Sequence, residues 1–176
     1  ENLTKDFGLV IINLLVNREI LDGGLNLFLF AIIIFVIGVD QFSKWLITRS
    51  LVMHQSMNVL PGVISFTRIS NPGAAFGILQ NKTVLLIVTP LLLFSLVFLF
   101  RKEIMQYSFP FRFGLALCVG GGVGNLIDRL GNQGHVIDFI DLEFWPFKNF
   151  PVFNLADTAI FVGAILIFGA LTRLEN

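Results

Sequence analysis

Two Asn-x-x-Asp tetrads, Asn125 to Asp128 and Asn154 to Asp157, stand where apolar segments meet their loops in "GGGVGNLIDRLGNQGHVIDFIDLEFWPFKNFPVFNLADTAIF". The spacing puts each Asn and its Asp on one helical face. If antiparallel neighbours bring Asp128 and Asp157 together, like-charge repulsion and partial desolvation leave a pair that shares one proton. Such a dyad can deprotonate a water while its acidic member protonates a carbonyl oxygen or, later, a departing amine. That is peptide hydrolysis without a nucleophilic side chain or a metal. A structural alternative uses the same residues: Asp128 pairs with Arg129, and Asp157 caps the last helix, where negative charge is favoured.

Other residues could support that chemistry. Gly120 and Gly124 form a small-xxx-small pair, and Gly121 and Gly122 add thin surface for close helix packing. In "SNPGAAFG", Asn71 can hydrogen-bond a peptide backbone, Pro72 and Gly73 impose a turn, and Ala74 and Ala75 leave room. Asp40 and Lys44 are spaced i to i+4 and are expected to form an ion pair anchoring the first helix. Asp138 and Asp141 are rival carboxylates, but their strand-like surroundings read as less protected, so Asp138 is assigned to orienting Arg129.

The elements that must hold these groups follow from composition. Of 176 residues, 55% are hydrophobic and 14% charged, with 20 Phe and a mean hydropathy of +0.82. Too few ionisable groups remain to cover a water-facing surface, which points to a membrane protein. Basic and acidic residues balance at 12 each, so no nucleic-acid surface is indicated. The lone Cys118 cannot form an intrachain disulfide, and His54 and His135 are far apart, so no metal site is expected.

Four spans are predicted: Leu25 to Ile47, Val84 to Phe100 with Pro90 inside, Phe109 to about Ile127, and Val152 to Leu171. Parity then places Asp40, Asp128 and Asp157 on one membrane face. The short turn "RKEIMQYSFPFR" carries Arg101, Lys102 and Arg112, which favours the cytoplasm for that turn and for both termini. Within the opposite loop, about 48–83, Val63 to Ile69 alternates as a strand after a Pro-Gly turn; His135 to Leu142 reads as a second. A small sheet at the membrane surface accounts for both, with "FWPF" as an interfacial anchor. Residues 1–24 form an extension, either interfacial or disordered, because the apolar run Phe7 to Val16 is too short to span. Residues 172–176 form a tail. The fold class is thus an all-α membrane protein of four transmembrane helices with a small extracytoplasmic β-containing cradle.

Five blocks in order and spacing carry a resemblance: "DQFSK" (Asp40 to Lys44), "NPGAAFG" (Asn71 to Gly77), "GGVGNLIDR" (Gly121 to Arg129), "VIDFID" (Val136 to Asp141) and "FNLADTAI" (Phe153 to Ile160). Together they resemble the bacterial lipoprotein signal peptidases, or signal peptidase II. The resemblance implies a monomeric four-span aspartyl protease of the bacterial inner membrane, acting at the outer, periplasmic face without a cofactor. Its implied substrate is a prolipoprotein cleaved immediately before a diacylglyceryl-modified cysteine, and its implied inhibitor is the cyclic depsipeptide globomycin. It also implies Asp128 and Asp157 as the catalytic pair, with Asn125, Arg129, Asn154 and Ala156 at active-site positions. Asn71 and Gly73 fall in the block that contacts substrate, while Asp40, Lys44, Gly121, Gly124 and Asp138 are structural or supporting. From the residues alone, a small proton-coupled transporter remains the alternative; it would need a polar path from both faces.

Overall fold

The computed structural model describes residues 2–73 and 82–173, with side chains from residue 26 onward. Helix α1 runs Asn2–Ser50, α2 Thr83–Leu99, α3 Arg101–Ile104, α4 Phe109–Gly131 and α5 Leu155–Thr172. Strands β1 (Ser56–Leu60), β2 (Ile64–Asn71) and β3 (Val136–Leu142) form one antiparallel sheet in that order. Among the described residues, three stretches are long and apolar enough to cross a membrane: Asn26–Ser50, Phe109–Gly131 and Leu155–Thr172. The predicted second span appears as α2, an apolar helix of 17 residues interrupted by Pro90. The protein is therefore an α-helical membrane protein with three spanning helices and a small sheet. Ala74 and Ala75, the tail beyond 173 and the side chains of the N-terminal extension lie outside the described residues.

Helix α4 is the centre of the bundle, packed against α5, α1 and α2. Its glycines make this close approach feasible. A Cβ at Gly120 would sit 2.9 Å from Val36 Cβ, one at Gly124 2.6 Å from Asp40 Oδ2, and one at Gly121 would strike the carbonyl of Ala156. Apolar side chains meanwhile cover the outer faces of the helices, among them Phe35, Leu92, Phe161 and Phe168, as hydrocarbon solvent requires.

The sheet closes one end of this bundle. Predicted from alternation, β2 begins at Ile64 after a turn in which Gly62 takes φ +72°. No comparable signal marks β1, which is exposed along its whole length. Phe139 of β3 packs with Ile47 and Leu51 at the end of α1 and meets Phe66 edge-on at 5.6 Å. Arg68 of β2 donates to the carbonyls of Thr48 and Leu51, satisfying acceptors left open where α1 ends. Helix α1 continues past the predicted Ile47 to Ser50, and α5 starts three residues later than predicted because Asn154 is its N-cap.

Candidate active site

Helix α1 contributes Asp40, Gln41 and Lys44; α4 contributes Asn125, Asp128 and Arg129; β2 and β3 contribute Asn71 and Asp138; the start of α5 contributes Asn154, Ala156 and Asp157. These residues meet in two linked nests at the sheet-covered end of the bundle.

In the first, Lys44 Nζ lies 2.8 Å from Asp40 Oδ2 and 3.0 Å from Asp128 Oδ2, and it donates to Asn125 Oδ1 at 3.0 Å. Asp40, Lys44 and Asp128 are 0%, 2% and 4% exposed, so an unpaired charge here would be very costly. The carboxylates are bonded further. Asp40 Oδ1 accepts from the Ala156 N–H at 3.0 Å, and Gln41 Nε2 donates to Asp40 Oδ2, to Asp128 Oδ1 at 3.0 Å and to the Gly124 carbonyl. Asp128 Oδ2 also accepts from the Ile137 N–H at 3.0 Å, tying α4 to β3. The expected Asp40–Lys44 pair is present. Spacing had suggested Arg129 as the alternative partner of Asp128, but its cation is Lys44.

The second nest contains amides and carboxylates. Asp138 Oδ1 accepts from Asn154 Nδ2 at 2.6 Å, and its Oδ2 accepts from Asn71 Nδ2 at 2.8 Å. Asn154 and Asp157 form a reciprocal capping box: Asn154 Oδ1 accepts from the Asp157 N–H at 2.8 Å, and Asp157 Oδ2 accepts from the Asn154 N–H at 3.3 Å. Asn125 completes the link, donating to Asp157 Oδ1 at 2.7 Å and accepting from Asn154 Nδ2 at 3.1 Å. Each tetrad thus sends its Asn across to the other helix.

Asp138 departs from the sequence-based expectation in two ways. Far from being weakly protected, it is 2% exposed, because β3 is covered by α1, α4 and β2. Its hydrogen bonds go to Asn71 and Asn154, whereas Arg129 donates to the Gly73 carbonyl at 3.0 Å and more weakly to the Asn125 carbonyl. Burial, reinforced by the negative charge of Asp157, pushes the Asp138 carboxyl up to about 7, while the Asn71 and Asn154 hydrogen bonds and Lys44 act in the opposite direction. Asp138 and Asn71 also line a cleft of about 520 Å³ together with Pro72, Phe150 and Val152. Asn71 Oδ1 in turn accepts from the Gly73 N–H at 2.9 Å, shaping the turn beside that cleft.

Sequence reasoning missed Gln41, whose place between Asp40 and Lys44 was its only signal, and the backbone N–H of Ile137. Among the described residues no cluster of metal-ligating side chains occurs.

Known proteins resemble this chain over most of its length. A family model described as "Signal peptidase (SPase) II" matches residues 32–173. A lipoprotein signal peptidase of Pelotomaculum thermopropionicum is 41% identical over 145 residues, covering 82% of this chain and 91% of that protein. The one from Halalkalibacterium halodurans is 37% identical over 142 residues, covering 80% and 89%. Two solved structures, each described as a bacterial membrane enzyme, superpose with TM-scores of 0.75 and 0.69 at 32% and 33% identity. They cover 82% and 81% of this chain and 87% and 91% of their own. The transporter alternative gains nothing from these relatives. A duplicated Asn-x-x-Asp device on α4 and α5, a buried third carboxylate under the sheet and a match across residues 32–173 have one explanation: the chain belongs to the signal peptidase II family of intramembrane aspartyl peptidases.

Proposed function

We propose that this enzyme removes signal peptides from diacylglyceryl-modified prolipoproteins, cutting immediately before the lipidated cysteine, with Asp138 and Asp157 as its catalytic dyad. The observation that carries the dyad is Asn154, which donates to Asp138 through its side chain while its own backbone and carbonyl oxygen cap Asp157. Asp128, the partner expected for Asp157, has Oδ1 occupied by Gln41 and Oδ2 by Lys44 and the Ile137 N–H. It is an ion-paired strut. Asp138 has only neutral amide donors, borders the cleft and feels the charge of Asp157.

In this mechanism Asp138 holds the shared proton and Asp157 takes a proton from the attacking water. Asp138 passes its proton to the substrate carbonyl oxygen as the tetrahedral intermediate forms. Collapse of that intermediate breaks the C–N bond as one of its hydroxyl groups returns a proton to Asp138, and the proton now on Asp157 goes to the departing amine of the lipidated cysteine. Arg129, held at the Gly73 carbonyl, and Asn71 keep the turn in place beside the reacting bond.

The membrane arrangement belongs to the same proposal. Helix α2, at about 25 Å by helical rise, is the fourth span against roughly 30 Å of hydrocarbon, completed by the residues flanking it. Four spans put both termini in the cytoplasm and the cleft at the outer face of the inner membrane. Substrate lipid tails then stay in hydrocarbon while the scissile bond arrives from the side. The enzyme acts as a monomer, and globomycin competes for the cleft. The test is cleavage of a diacylglyceryl prolipoprotein by purified enzyme carrying Asp138→Asn, Asp157→Asn or Asp128→Asn. Wild-type turnover in a folded Asp138→Asn variant would remove Asp138 from the dyad.

A further inference from the structure

A second cavity lies at the other end of the bundle. It measures about 310 Å³ and sits between α1, α2, α3 and α4, lined by apolar side chains including Leu29, Ile33, Phe94 and Leu115, with Arg101 and Arg112 among its walls. Arg112 precedes Asp128 by sixteen helical residues, about 24 Å along the axis, so this cavity is in the opposite leaflet from the carboxylates. The substrate's lipid cannot occupy both places.

Three observations identify the occupant. First, the lining residues Phe30 and Phe98 are 59% and 65% exposed, so the cavity opens sideways onto the surface that faces hydrocarbon. Second, Arg112 Nε is buried without a hydrogen-bond partner, one of three such side-chain atoms among the described residues. Its Nη1 reaches only the Met105 carbonyl, at 3.3 Å. A buried guanidinium nitrogen without a partner calls for an explanation, and an anionic group at this cavity supplies one. Third, Arg101 stands over the Phe98 ring at 4.7 Å and donates to the Phe98 carbonyl, which holds a second cation near the mouth. Lys102 adds positive charge to this turn and Glu103 is its single acidic residue, leaving the region net basic with Arg112.

We infer that this cavity is a binding site for an anionic phospholipid, with an acyl chain between α1, α2 and α4 and the headgroup phosphate on Arg112 and Arg101. An apolar slot capped by arginines at the basic face of a membrane protein has the chemistry for such a lipid. Its volume, at the lower end of the ~300–1,000 Å³ usual for small-ligand sites, suits part of one chain and not a whole lipid. The site is independent of the peptidase chemistry.

The experiment uses purified full-length enzyme, delipidated in detergent and titrated with phosphatidylglycerol or phosphatidylcholine, with bound lipid counted by native mass spectrometry. Phosphatidylglycerol keeps the net negative charge that the quaternary ammonium of phosphatidylcholine cancels, and it is expected to bind at least about tenfold tighter, the scale of two basic residues meeting an anionic headgroup. Arg112→Gln and Arg101→Gln should each remove most of that preference, and free glycerol phosphate at millimolar concentration should not displace the lipid. Because Arg101 is exposed, its variant carries the test if Arg112→Gln fails to fold. Equal binding of the two lipids, unchanged preference in Arg101→Gln, displacement by glycerol phosphate alone, or a dimer that excludes lipid would each overturn the inference.

Discussion

The two carboxylate nests share Asn125 and meet β3 at adjacent residues, Ile137 and Asp138, yet they solve the burial of negative charge in opposite ways. Around Lys44, two carboxylates divide one ammonium ion, and the deficit is met by Gln41 and two backbone N–H groups. Around Asn154, two carboxylates receive mainly amide donors, and no cation lies within ion-pair distance of either among the described residues. An ion pair holds both of its charges in place, whereas burial and the nearby Asp157 charge raise the Asp138 carboxyl in spite of its amide donors. The first nest is therefore suited to hold helices together and the second to move a proton. Three aspartates on one face gave no hint of this division, because their roles depend on which donors reach them.

The widest separation between the nests should appear in turnover. Asp138→Asn or Asp157→Asn is expected to lower kcat by at least about 10³-fold, within the range for losing a general acid or base, while thermal unfolding in detergent moves little. For the first nest the effect should be reversed in kind. Lys44→Met leaves two buried carboxylates without their cation and should cost about 3–5 kcal/mol of stability. Asp128→Asn should also lower the unfolding temperature, yet its folded fraction should retain turnover. If Asp128→Asn stayed fully stable and lost all activity, the division of labour would collapse.

Smaller changes sharpen the contrast. Gly121→Ala forces a methyl group against the Ala156 carbonyl, and such overpacking should cost about 1–3 kcal/mol; differential scanning of the purified variant checks this. The pH response is subtler. Asp138 binds its proton more tightly folded, near 7, than the usual carboxylate. Its contribution to stability is thus complete below about pH 4 and lost as pH rises through 7, and Asp138→Asn should flatten that decline. Activity should fall on the alkaline side over the same window. Asn71→Ala removes a hydrogen bond that favours the ionised form, so it should move that alkaline limb to higher pH.

Hydropathy and spacing revealed much of this molecule. Apolar runs marked the helices, and the Asn-x-x-Asp repeats marked the ends of α4 and α5 where the site forms. The glycine run correctly indicated close packing, since a missing Cβ has meaning wherever helices cross. Other features escaped for definable reasons. The i to i+4 rule pairs Lys44 with Asp40 on its own helix and is blind to Asp128, 84 positions away in sequence. Alternation identified β3 as a strand, but a period of two cannot tell that both its faces are covered near Asp138 and Phe139. That blindness made Asp138 look peripheral. Strand β1 is exposed at every position, so its side chains carry almost no hydropathy pattern.

The order of the nests along the chain has a consequence for biogenesis. Lys44 and both of its anions precede Asp138 and Asp157, so the struts are translated before either of the proposed catalytic acids exists. Asn154, which bonds Asp138 and caps Asp157, also comes late. On the proposed mechanism a partly translated enzyme is accordingly latent: the final helix brings Asp157 to Asp138 and, in the same docking step, the Ala156 N–H that Asp40 accepts.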